Sequence, residues 1–174
     1  MTTDLELLFS ELSKENVADF ADFVCGLLKI KTPKIKWESS SQENIGGQTQ
    51  YEYVNGKFIV NRIILFEDYL PYSSRDMRIR FIETIIHECR HCWQADIYSA
   101  DLIKDNTLTS DTEVDARAFS YLFLFYFFGV ETYVDDDEIR ECVEKRMYEI
   151  NTDFINSAKK YLGTEKFSSI INGL

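Results

Sequence analysis

The sequence predicts an α+β fold, mostly helical, with a small antiparallel sheet ahead of the helix that carries the chemistry. Apolar residues recur at three-four spacing over residues 3–30 and again beyond residue 75, which is the helical period. Between these regions "KIKWE" and "TQYEYVNGKFIVNRIIL" have the character of strands. Helices, then a small sheet, then helices is the order of an α+β chain. The 174 residues suit one compact domain over 1–174, and 45% hydrophobic with 14% aromatic residues is enough for a packed core.

Each element has its local reason. Thr3 and Glu6 fit a capping box, and Leu5, Leu8, Phe9 and Leu12 then share a face. Asn16 suits the cap of a second helix, whose apolar face holds Val17, Phe20, Val24, Leu27 and Leu28, and Pro33 closes the region. In "KIKWE", Ile35 and Trp37 fall on one side of a strand. "SSSQENIGGQ" is a loop by composition. Asn55-Gly56 suits a type I′ turn, because both positions tolerate positive φ, so residues 49–65 read as a hairpin. The sheet then has about three strands. After the loop "EDYLPYSSRD" come helices over about 75–97 and 111–128, the second ended by Gly129, and a last one over about 137–162. "AFSYLFLFYFFGV" is too short to span a bilayer and reads as a buried helix.

Charge and cysteines narrow the function. Lysine and arginine total 19 against 30 acids, a net charge of −11, which argues against nucleic acid as a partner, since phosphate binding needs basic surface. The acidic N-terminus has no basic n-region, so no secretory signal is expected. Cys25, Cys89, Cys92 and Cys142 lack the spacing of a disulfide framework. Reduced thiols in the cytoplasm, with no membrane association, are the expectation.

The chain holds two histidines, both in "FIETIIHECRHCWQAD". Helical positions four apart share a face, so His87 and His91 can turn imidazole nitrogens towards one Zn²⁺ ion. Glu88 projects to the side, where it reaches a water on that ion without being a ligand. Ile79, Ile82, Ile86, Cys89 and Trp93 form an apolar stripe, widened by Phe81, Ile85 and Cys92, so the helix is nearly buried. Cys89 and Cys92 read as core, since no second pair exists for a four-thiolate site. Arg90 stands where stricter forms of the motif are uncharged, and must point away from the metal or bind an acid.

A catalytic zinc keeps three protein ligands and an open position. With no third histidine, the next carboxylates are in "SDTEVDARAFSYLFLF", where Glu113 and Asp115 compete. Ala116 and Ser120, both small, share the face of Glu113 and allow close helix approach. Asp115 shares its face with Phe119 and Leu122 and suits the orientation of a histidine. Ser110 and Glu113 would also serve as a simple capping box.

"HECRH" followed by "EVDARAF" resembles the zincin metallopeptidases of the gluzincin type, above all the small single-domain versions of bacteria and phages, and more distantly the ImmA/IrrE-like peptidases. The resemblance covers about residues 50–128. It implies a short sheet, an active-site helix and a third-ligand helix, with His87, His91 and Glu113 as zinc ligands, Glu88 as the general base, and a peptide or protein as substrate. The substrate strand would lie along a sheet edge, with "KFIVNRII" the strand considered, and Tyr98 and Tyr121 are candidates, among ten tyrosines, for the oxyanion partner. The alternative is a catalytically inactive, zinc-stabilised acidic protein that binds a basic partner; retention of Glu88 speaks against it, because structural zinc does not need that residue.

Overall fold

The computed structural model describes residues 12–39, 46–67, 74–97 and 111–130, together with 137, 140–143, 145, 155–156 and 159–160. The chain divides into two compact units, Met1–Asn106 and Thr107–Leu174. Helix α1 spans Lys14–Leu27 and strands β1, β2 and β3 span Lys34–Glu38, Gly47–Val54 and Lys57–Phe66. Helices α2 and α3 span Arg75–Ile97 and Asp111–Phe128. The architecture is mostly helical, with a small mixed sheet before the helix bearing the histidines.

The cap of α1 is Ser13, not Asn16. The Ser13 hydroxyl accepts the Asn16 N–H at 3.1 Å, which places Asn16 inside the first turn. The helix also stops earlier than Pro33 suggests. Lys29 adopts φ 58°, its N–H bonds Gly26 O at 3.2 Å, and Ile30 N–H bonds Cys25 O at 3.1 Å. That pair of bonds is a Schellman ending, made here without glycine in the left-handed position. The Thr3 and Glu6 capping box lies outside the described residues.

The sheet order is β1-β3-β2, and it is mixed rather than antiparallel. β2 and β3 form the expected hairpin, with Asn55 at φ 53° and Gly56 at φ 81°. β1, however, pairs with β3 in parallel, from Lys34 opposite Arg62 to Glu38 opposite Phe66. Alternation identifies strands but not neighbours. β1 and β2 flank β3 on opposite sides, with β1 parallel and β2 antiparallel to it. It follows that "KFIVNRII" is the middle strand over Arg62–Phe66, and that β2 forms an outer edge.

Helix α2 packs on β2, β3 and α1. Val17, Phe20 and Val24 of α1, Ile63 and Leu65 of β3, and Ile82, Ile85 and Ile86 of α2 are buried in one core. Each such side chain contributes roughly 1.5–3 kcal/mol on burial. Trp37 of β1 stacks on Phe81 with centroids 6.2 Å apart, tying the parallel strand to the same helix. Ser74 caps α2, its hydroxyl accepting the Met77 N–H at 3.3 Å.

In the second unit α3 is buried around most of its surface, including Ala116, Ala118, Phe123, Leu124 and Phe127. Phe123 and Phe127 stack at 4.3 Å, one turn apart. Gly129 ends α3 at φ 63°, as its position predicts. Residues 137, 140–143, 145, 155–156 and 159–160 are helical, and the rest of the helix expected over 137–162 lies outside the described residues. Among the described residues no helix is long and apolar enough to cross a membrane.

Candidate metal centre

The centre is built on the middle of α2. One turn of helix separates His87 from His91, and their Nε2 atoms converge to 2.9 Å with the rings edge-on. His91 is held from behind. Its Nδ1 lies 2.7 Å from Gln94 Oε1, and Gln94 is only 1% exposed. An amide oxygen can only accept, so Nδ1 carries the proton and Nε2 keeps its lone pair facing His87. This is the tautomer a metal ligand needs.

His87, His91 and Glu113 each offer one ligand atom, and these atoms all lie within 4.8 Å of one another. Among the described residues the metal-capable group contains Glu113 and not Asp115. Asp115 is buried on α3, as are Ala116 and Ser120, the two small residues that favoured Glu113 in the sequence. Ser110, the partner in a capping box, lies outside the described residues. The donor set fits zinc: two imidazoles and one carboxylate are a known three-ligand set for that ion. A tetrahedral ion with Zn–N bonds of about 2.0–2.1 Å separates two imidazole nitrogens by about 3.3 Å. The observed pair therefore needs to open by only a few tenths of an ångström.

Glu88 is 6% exposed. Thr49, on the edge strand β2, lies with its hydroxyl oxygen 2.6 Å from Glu88 Oε2 and 3.1 Å from Glu88 O. A single hydroxyl proton goes to the nearer carboxylate oxygen. The strand thus holds one oxygen of Glu88, and the other is left for a second partner. Neither Thr49 nor Gln94 emerged from the sequence. Gln94 had a signal, three residues beyond His91 on the same helix; Thr49 had none, since only the sheet brings it to α2.

The remaining motif residues fall into structural places. Arg90 places its guanidinium over the Trp93 ring, with Cζ 3.6 Å from the centroid. Cys89 and Cys92 are buried, with Cys89 Sγ 4.0 Å from Ala21 O. A hydrogen bond with Cys25 and then burial push the Cys89 thiol well up, and burial does the same to Cys92. Both remain protonated core thiols rather than thiolate ligands. The bond from Cys89 lowers Cys25 against the opposing effect of burial. Tyr121 lies half-buried on α3, and Tyr98 is outside the described residues.

His87-Glu88-x-x-His91 with Glu113 forms a zincin-type HExxH metal-binding arrangement on two helices. The cluster is consistent with a mononuclear zinc site, and the arrangement with a zinc-dependent peptidase active site with a catalytic glutamate. No family model matches the chain, and no curated protein or solved structure matches it either.

Proposed function

We propose that the protein is a zinc-dependent peptidase in which His87, His91 and Glu113 hold the ion and Glu88 is the general base. The observation that carries this reading is the convergence of the three ligand atoms within 4.8 Å, with Glu88, the residue after His87 in the chain, outside the three. Zinc, when bound, supplies a Lewis acid that polarises the scissile carbonyl and acidifies water. Glu88 takes the proton of the attacking water and passes one to the departing amine. Thr49 keeps its carboxylate turned to one orientation during both transfers. Gln94 fixes His91 with its Nε2 lone pair inward.

The substrate in this reading is a peptide in extended form. β2 is the strand suited to receive it, as an outer edge of the sheet whose Thr49 touches Glu88. Cytoplasmic residence is part of the proposal and rests on the four free cysteines.

The test is hydrolysis of a broad peptide library by zinc-loaded protein, beside Glu88→Gln. Cleavage by the wild type and its loss in the variant support the reading. Equal cleavage by both would remove Glu88 from the mechanism.

A further inference from the structure

Strand β3 has two different halves. Arg62–Phe66 lie between β1 and β2, whereas Lys57–Val60 pair with β2 alone. The halves meet where the β2–β3 register shifts: Tyr51 faces Val60, but Gln50 faces Arg62, leaving Asn61 as an extra residue on β3. Val54 and Lys57 flank the two-residue turn, so they exchange both backbone hydrogen bonds, and alternation gives the next such pair to Glu52 and Ile59. Phe58 and Val60 therefore turn their N–H and C=O groups away from β2. They face the lane that β1 occupies further along the sheet. Among the described residues no strand fills that lane beside them.

A groove runs along this free length, with a volume of about 320 Å³. Ile30 and Lys31, just ahead of β1, border it, as do Cys92 and Ala95 of α2. Its charged lining residues are Lys31, Lys57 and Asp96, so the local balance is positive in a chain of net charge −11. Lys34 begins β1 at the next register position and is exposed. Among the described residues Lys31, Lys34 and Lys57 make no ion pair. Ile59 is 51% exposed beside the same edge.

We propose that the free edge of β3 at Phe58–Val60 binds an extended acidic peptide segment by strand addition, on the side of β3 away from β2, the strand whose Thr49 holds Glu88. The backbone groups of Phe58 and Val60 supply the ladder. Alternate side chains of the guest fall on Cys92 and Ala95 or outward past Ile59. Its carboxylates meet Lys31, Lys34 and Lys57. A second copy of this chain is the poorer guest, because pairing two such edges brings like-charged lysines together.

The probes are short, end-blocked peptides of alternating valine and glutamate, and of alternating valine and lysine, labelled with fluorescein. Anisotropy measures their binding to the full chain at low salt, and amide NMR shifts report on Phe58 and Val60. Two variants locate the site. Val60→Pro removes an N–H that serves no bond to β2, so the hairpin is kept. Lys31→Glu with Lys57→Glu reverses the charge and leaves the backbone alone. The expected result is binding of the glutamate peptide with shifts at Phe58 and Val60, and weakening of at least about tenfold in each variant, the scale of one lost hydrogen bond or charge contact. If Val60→Pro fails to fold, the charge-reversed variant decides alone. No binding, equal binding of both peptides, binding indifferent to the variants, or wild-type dimers that Val60→Pro dissociates would each overturn the proposal.

Discussion

Glu88 is held by Thr49 and stands outside the three clustered ligand residues, and the most decisive substitutions are therefore small. Glu88→Gln keeps size and hydrogen bonding and removes the base. It should retain zinc and fold while peptide cleavage drops at least about a hundredfold, read from initial rates and elemental analysis of the same samples. Gln94→Leu is expected to act on binding instead. It frees the Nδ1 of His91 and leaves the tautomer unspecified, so zinc affinity should fall about 10- to 100-fold in a competitive chelator titration. Glu113→Ala should weaken zinc far more than Asp115→Ala in the same titration, because Glu113 is in the cluster and Asp115 is not. The reverse order would mean that α3 presents a different face.

At the scale of elements, the way β2 passes α2 sets where Thr49 meets Glu88, and Gly47 controls that approach. A Cβ at Gly47 would sit 3.0 Å from Leu65 Cδ2, 3.0 Å from Thr84 Cγ2 and 3.2 Å from the Ile64 carbonyl oxygen. The side chains can yield a little, but the backbone oxygen belongs to the central strand. Gly47→Ala should therefore cost about 1–3 kcal/mol in a denaturant titration. It should also slow peptide cleavage, because Thr49 moves with the strand. Ser13→Ala, at the far end of the same unit, removes the cap of α1 and should cost about 1 kcal/mol with no change in zinc affinity.

At the scale of the molecule, zinc acts as a ligand of the folded state. Protein purified without a tag should carry about one zinc per chain, and failure to load after reconstitution would remove the site. At free zinc of about 100 times the dissociation constant, binding adds about 2.7 kcal/mol to stability. For a chain of this size that corresponds to about 5–10 °C in melting temperature, lost on addition of a chelator. In Glu113→Ala the chelator should shift the melt much less at the same zinc concentration, since less metal is bound to be removed.

The local rules were legible in the residues. Three-four spacing marked α2, Asn55-Gly56 marked the hairpin, and an apolar run ended by Gly129 marked α3, because each depends on neighbours within a few positions. His87 and His91 four apart on a helix required no tertiary information either, since helical geometry alone puts them on one face. Glu113 could be narrowed to a pair with Asp115 but not separated from it by spacing alone. What only the tertiary structure decided depends on contacts between distant segments. The parallel pairing of β1 with β3 is one such contact, because alternation carries no record of which strand lies beside which. The contact of Thr49 with Glu88, 39 positions apart, is another. The ending of α1 at Lys29 is a local feature that the sequence disguised, since a lysine there takes the left-handed conformation usually left to glycine. Sequence thus determined which residues are able to bind zinc and move a proton. The packing of α2 against the sheet decided which hydroxyl holds the carboxylate beside them, because a hydrogen bond across 39 residues exists only once the strands are in place.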